Sequence, residues 1–252
     1  EFTILDYLAQ QAGGLNDQMF YQDPFQSNRS RNWFKVNWLL YNLKLNYQQT
    51  ENNYHTLSIF GLDAERFALG YRSNRVAQED PMLQRDLISG EFNNIGFEYK
   101  LLLKRKLKKI RNASLFGVKF YKSNNKSIQG PGSDGTGPDF NFYFDEFPYY
   151  KNQSSYKYPN LNVAFFAENI IYINEKFSIT PGLRYEKIET KSDGNFVFVL
   201  VDGANNPIVN RTEYTTTNNS RNFLLLGLGL SYKTQNMLEY YGNISQNYRS
   251  VT

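Results

Sequence analysis

The chain has no cysteine, one histidine, three methionines and eight prolines in 252 residues. Without cysteine there are no disulfide staples, no thiolate metal sites and no cysteine nucleophile. Long apolar runs are also missing: the longest, such as Phe196 to Val201, fall far below the ~18 residues a membrane-spanning helix needs. Mean hydropathy is −0.60. These absences exclude a helical membrane protein but not a barrel, whose strands alternate lipid-facing apolar with lumen-facing polar residues and average out hydrophilic. The single histidine, His55, lies beside a short turn at 51–53 with no second ligand near it in sequence, which marks a turn residue rather than a metal site.

Aromatic residues are abundant. Twenty Tyr, twenty Phe and two Trp make up 17% of the chain. Such rings favour strands and membrane-water interfaces, where a face can be buried while a polar edge stays wet. The net charge of +4 is spread out, except for Lys104, Arg105, Lys106, Lys108, Lys109 and Arg111. No stacking or groove-reading element accompanies that cluster, so a solvated turn is expected there and no nucleic-acid partner.

Period-2 alternation dominates the pattern. Tyr41, Leu43, Leu45 and Tyr47 oppose Asn42, Lys44, Asn46 and Gln48; Leu224, Leu226, Leu228, Leu230 and Tyr232 oppose Gly227, Gly229, Ser231 and Lys233. The spacing predicts strands over 1–9, 36–49, 54–71, 93–106, 113–124, 161–174, 177–191, 221–234 and 237–250. Two segments read less cleanly. Residues 164–173 carry apolar side chains at both parities, and 57–71 changes parity near Gly61, where a bulge would restore the alternation.

The connections alternate strictly. Those at 10–35, 72–92, 125–160 and 192–220 are long, whereas 50–53, 107–112, 175–176 and 235–236 are short. In an up-and-down antiparallel sheet this puts every long loop on one rim. Transmembrane barrels have that asymmetry, with short periplasmic turns and long extracellular loops. A sandwich mixes hairpins and crossovers and does not produce it. The expected fold class is therefore all-β, part of a transmembrane up-and-down antiparallel barrel. In the first long loop, Gly13-Gly14 and Asp23-Pro24 supply turns, and Trp33 and Phe34 are placed where the chain re-enters the membrane interface.

Three stretches carry a family resemblance: QQAGGLNDQMFYQDPFQSNRSRNWF at 10–34, FFAENIIYINEKFSITPGLRYEKIE at 165–189 and YGNISQNYRSVT at 241–252. They resemble the middle of the barrel of TonB-dependent outer-membrane receptors, especially the ferric-dicitrate branch. The resemblance implies a bacterial outer-membrane receptor that takes up a ferric chelate, ferric citrate or another siderophore, and is energised by TonB through a plug domain. It also implies a barrel of about 22 strands, of which this chain supplies about nine as one partial barrel domain, 1–252, with no plug. The opening at Glu1 without Met and the stop at Thr252 in mid-strand fit a segment of a longer protein.

A ferric citrate complex is a compact anion, and guanidinium can pair two of its oxygens at once. The candidate ligand-binding residues on the outward rim are Arg29, Arg31, Arg72, Arg75 and Arg85, with Gln26, Gln78 or Gln153 as neutral donors. The alternative for any one arginine is an ion pair with a neighbouring carboxylate or with anionic lipopolysaccharide. For Arg29 and Arg31 the nearest such partners in sequence are Asp17 and Asp23. GPGSDGTG at 130–137 lacks the Gly-Lys-Ser/Thr ending of a phosphate loop. The aromatic run at 140–158 is expected to pack on itself over the mouth. Asp145, Glu146 and Asp202 have no companion base or nucleophile, so no enzymatic activity and no cofactor is expected. The implied partners are the ferric chelate, outer-membrane lipid and TonB. Rival readings are a small passive pore or adhesin closing on itself, and a soluble carbohydrate-binding sheet whose leucine rows would meet a second sheet.

Overall fold

The structure, a computed structural model, describes residues 1–11, 13–73, 75–107, 110–204, 206–234 and 238–248. Nine strands follow one another: β1 Phe2–Gln10, β2 Trp33–Thr50, β3 Asn53–Gly70, β4 Asp86–Leu107, β5 Ile110–Pro131, β6 Ser154–Tyr172, β7 Phe177–Val201, β8 Pro207–Lys233 and β9 Glu239–Ser245. Each is antiparallel to its sequence neighbour, in the single sheet order β1 to β9, and β1 and β9 are the two edges. In hydrocarbon no water can bond a stray amide or carbonyl, so this ladder is what lets the backbone cross a membrane.

Register fixes which side chains share a face, because side chains alternate along every strand. Leu43 pairs with Ile59, Ile59 with Phe97, Phe97 with Phe120, Phe120 with Val163, Phe165 with Tyr185, and Tyr185 with Leu224. The resulting row is one apolar band running across the sheet. It is exposed rather than packed: Leu224, Leu226, Leu228 and Leu230 are 60%, 52%, 42% and 45% accessible. The soluble sheet expects those leucines to be covered, and within this chain no second sheet meets them among the described residues. The band on β8, residues 224–232, measures about 27 Å along the strand at ~3.4 Å per residue, enough for a tilted strand in a bilayer. Tyr47, Tyr99, Tyr232 and Tyr240 lie on the same face toward the short turns, as an interfacial aromatic girdle. His55 sits among them, with Nδ1 2.7 Å from the Tyr99 hydroxyl and its ring between Tyr47 and Tyr99.

The opposite, lumenal face is polar and cationic over rings. Arg184 lies over Phe166 and 2.8 Å from Glu186, which also accepts a hydrogen bond from Asn162; Lys119 lies over Phe60. The two parities of 164–173 are thereby sorted, since Phe165 faces lipid and Phe166 faces the lumen. Phe166 lies across Gly117 of β5, where any Cβ would collide with its ring.

Three expectations need correction. There is no bulge at Gly61, whose register with Tyr41 and Ile95 is unbroken. Its missing side chain instead makes room for the Tyr41 ring. The connection placed at 192–220 is mostly strand: β7 runs to Val201 and β8 starts at Pro207, so the pair rises far beyond the band. Trp33 is paired with Leu69, eight residues above Tyr41 on β2, well clear of the membrane interface. The other long loops, 11–32, 71–85 and 132–153, all leave from the end of the sheet where β7 and β8 rise. At the opposite end Leu107 pairs with Ile110; Lys108 and Lys109 of the basic run, the turn at 235–236 and Arg249 of the last alternating stretch lie outside the described residues.

An arginine at the centre of the band would face hydrocarbon. Leu228→Arg is expected to cost the folded, complete barrel about 2–4 kcal/mol, and Ser220→Arg, above the band, about 0–1. Urea unfolding in bilayers measures both.

Candidate functional site

The first long loop is not wholly irregular. Asn16 caps a short helix, α1 (Asp17–Gln22), accepting a hydrogen bond from the Met19 amide at 2.8 Å. Asp23 then accepts from the Phe25 amide in the turn at Pro24. The chain next delivers Arg29 and Arg31 between the other two long loops.

Three of the candidate arginines are used inside the protein. Arg31, 2% exposed, grips Asp80 of the second loop with Nε at 2.9 Å and Nη2 at 2.5 Å. Its remaining donors reach the carbonyls of Leu83, Asp134 and Gly135. Arg85, fully buried, donates to the carbonyls of Arg31, Ser133 and Gly137 and to the Ser133 hydroxyl. Arg29 donates to the carbonyls of Asn28, Gln78 and Arg75 and lies 5.1 Å over the Tyr71 ring. The partner of Arg31 is thus Asp80, not Asp17 or Asp23, and the planar fork is spent on carbonyls that no helix or strand satisfies. Together they weld loops 11–32, 71–85 and 132–153 into one cap. Trp33 adds a bond from Nε1 to the Thr136 carbonyl at 2.7 Å.

Burial works to raise the Asp80 carboxyl, but hydrogen bonds from Arg31 and the Met82 amide, with the charges of Arg31 and Arg29, outweigh it. They hold Asp80 below its ordinary value of 3.8.

The other candidates lie where solvent reaches. Arg72 is 49% exposed, with Nε 3.2 Å from Asp86. Asp86 stands well above the apolar band and also accepts from Gln129 at 2.8 Å and Tyr150 at 3.0 Å. Burial pushes the Asp86 carboxyl up in spite of these bonds, and burial beside Asp86 pushes the Tyr150 phenol up strongly. Arg75 is exposed. Gln153 is half-buried and turns its amide onto the carbonyls of Pro148 and Tyr150. Gln26 bonds the Met19 carbonyl, and Gln78 accepts from Ser73. A cleft of about 490 Å³ opens beside the cap, lined by Gly14, Asn28, Tyr71, Arg72 and Ser73 among others. Sequence reading missed Asp80, Asp86 and Tyr150, which only the folded loops bring to the arginines.

The aromatic run divides. Phe142 and Phe144 stack at 5.1 Å, and Phe140 lies 5.5 Å from Phe67, so this part packs on the wall of the sheet. Residues 154–158 are the start of β6. Asp202 caps its own turn, accepting from the amides of Ala204 and Asn206. Among the described residues no His, Asp and Glu cluster fit to hold a metal is present.

The TonB dependent receptor-like β-barrel family model matches residues 3–252. None of the curated proteins matches the sequence. Among solved structures, the unliganded ferric citrate transporter FecA is similar with a TM-score of 0.68 at 18% identity, over 94% of this chain and 31% of that one. The ferric yersiniabactin uptake receptor FyuA from Yersinia pestis gives 0.61 at 10% identity, over 86% of this chain and 29% of that one. The ferric-catecholate import receptor Fiu from E. coli K12, in its open form, gives 0.61 at 11% identity, over 85% and 36%. The chain spans about a third of the length of each.

Asp80→Asn leaves Arg31 buried without its counter-charge, a change that costs about 3–5 kcal/mol where such pairs are intact. Faster tryptic cleavage at Arg72 and Arg75 is the expected readout. Because the folded value of Asp80 is depressed, its contribution is present above about pH 4 and is lost as pH falls through that lower value. A nitroxide attached through Glu79→Cys should gain mobility over that acidic range in the parent protein and show no such transition in the Asp80→Asn background.

Proposed function

We propose, from the premise that this chain belongs to the TonB dependent receptor-like β-barrel family, that it is the central wall of an outer-membrane receptor that captures an iron chelate by charge. The similar structures carry ferric citrate, ferric yersiniabactin and ferric catecholate in their names. An anionic ferric chelate, ferric citrate or another siderophore, is the ligand class, and iron enters as cargo held by its chelator. Transport, not catalysis, is the activity, energised by TonB acting through a plug domain inside the complete barrel.

The observation that carries this reading is the division of labour among the rim cations. Arg29, Arg31 and Arg85 are buried in the cap and act through it as positioning residues. Arg72 keeps an exposed cation on the lining of the cleft, held in place by Asp86 at 3.2 Å, and Arg75 is a second exposed cation in the same loop, between the lining residues Ser73 and Val76. Gln153 braces the third loop through its own carbonyl contacts. A rigid frame with exposed guanidiniums at its edge suits bidentate recognition of carboxylate or catecholate oxygens. The open edges of the sheet give no support to a small pore or adhesin closed on these strands alone.

Replacing Arg72 and Arg75 together with Gln in the full-length receptor should weaken ferric citrate binding about 10-fold or more and flatten its salt dependence. Arg31→Gln should weaken it as well, but with an unchanged salt slope, because it acts through cap geometry. Equal affinity and equal salt slope in the double variant, measured by titration of the purified receptor, would overturn the assignment.

A further inference from the structure

Among the described residues Asp86 is the only buried acid, 5% exposed. It opens β4, where its backbone pairs with Gly70 of β3 and Pro131 of β5. Its carboxylate ties the sheet to two loops. Oδ1 accepts from the Tyr150 hydroxyl of the third loop at 3.0 Å, and Oδ2 accepts from Nε2 of Gln129 on β5 at 2.8 Å. Oδ2 also stands 3.2 Å from Nε of Arg72 in the second loop. Tyr150 is itself braced, because its carbonyl accepts from Gln153 at 2.9 Å, its amide donates to the Phe147 carbonyl at 3.1 Å, and Asn152 bonds its hydroxyl.

Arg72 supplies the counter-charge. The neighbouring Arg85 spends its donors on the carbonyls of Arg31, Ser133 and Gly137 and on the Ser133 hydroxyl. No second cation pairs with Asp86 among the described residues. Arg72 lies on the lining of the cleft of about 490 Å³ and is 49% exposed, with Asp86 behind it. A guanidinium carries more N–H donors than one carboxylate can use, so Arg72 keeps some for an anion in the cleft while Nε faces Asp86.

The acid and any anion in the cleft therefore share one cation. An anion at Arg72 draws on the same positive charge and adds a like charge close to Asp86, and both changes disfavour the carboxylate. The ionised form is already costly. Burial holds Asp86 above its ordinary value of 3.8 in spite of the bonds from Tyr150 and Gln129 and the charge of Arg72. The neutral acid is also accommodated, since a tyrosine hydroxyl can accept a hydrogen bond as well as donate one.

We propose that Asp86 couples anion capture at the mouth to the uptake of a proton, which passes from solvent to its carboxylate as the chelate closes on Arg72. Asp86 acts through Arg72 and touches no cargo, so it is a positioning residue. Linkage is reciprocal, and a proton on Asp86 strengthens chelate binding by the factor with which the chelate favours that proton. Affinity therefore rises as pH falls between the Asp86 values with and without a bound anion, by about tenfold for each unit that separates them. The inference rests on the reading of the mouth proposed above and concerns its regulation.

Calorimetric titration of the purified, complete receptor with ferric citrate, in buffers of different ionisation enthalpy, counts the protons taken up on binding. Protons exchanged by the chelate itself cancel between the parent and Asp86→Asn. The parent should take up as much as about one proton more than Asp86→Asn, and only the parent should gain affinity, about 5- to 10-fold, from about pH 7 to about pH 5. Asp86→Asn should bind at neutral pH about as tightly as the parent does in acid, because the amide stands in for the protonated carboxyl. Tyr150→Phe removes a bond that favours the carboxylate and should move the uptake to higher pH. Heat-modifiable gel migration shows that each barrel is folded. Equal proton counts in the parent and Asp86→Asn, or a Tyr150→Phe profile identical to that of the parent, would overturn the coupling. A receptor carrying Arg72→Gln and Arg75→Gln separates the two ideas: lost affinity there together with equal proton counts overturns the coupling alone, whereas unchanged affinity overturns the reading of the mouth and the coupling with it.

Discussion

Everything in this chain depends on one constraint: backbone N–H and C=O groups in hydrocarbon must find one another. The register between neighbouring strands meets it almost residue for residue, from Leu107 paired with Ile110 up to Asp86 paired with Pro131 in β4 and β5. Once the ladder is fixed, the sidedness of each residue is fixed too, and a shift of one position would turn the leucines of β8 toward the lumen. The apolar band, the aromatic girdle and the lumenal cations all follow from that single choice of register. Among the described residues the buried hydrophobic side chains are few, Val36, Ala64, Leu69, Leu87 and Ala164 with Pro131, because the bilayer takes the place of a core.

What the sequence made legible is what the bilayer imposes. Inside hydrocarbon the two faces meet opposite solvents, so Leu224, Leu226, Leu228 and Leu230 alternate with Gly227, Gly229 and Ser231, and the strand announces itself. Above the membrane both faces of the wall meet water. Lys187, Glu189, Lys191 and Asp193 then occupy the face that had been apolar, and the period vanishes although the ladder continues. That is why 192–220 read as a loop. Gly61 misled for the same reason: above it the outward face of β3 carries Asp63 and Glu65 while Leu62 and Ala64 lie on the lumenal face, so the apolar parity switches although the ladder is unbroken.

The rim was legible in location but not in role. Arginines at 29, 31, 72, 75 and 85 were correctly expected on the long-loop side, since topology alone puts them there. Their division into buried and exposed sets depends on contacts 46 to 104 residues distant in sequence, from Arg29 to Arg75 and from Arg31 to Gly135. No local pattern encodes such contacts. Asp80, the acid that neutralises the cap, lies in an unremarkable Gln-Glu-Asp-Pro stretch and gains its meaning only from the folded loop.

The cap has an implication for how such receptors diversify. Because Arg31 and Arg85 stitch carbonyls from separate loops, an altered second loop must still offer Asp80 and the Leu83 carbonyl, and an altered third loop the carbonyls of Ser133 and Gly137. Grafting one loop from a relative would leave stranded guanidiniums in its neighbours. The three loops hold their shape only as a trio, and a chimera that is to keep the cap folded should exchange all three segments as a cassette.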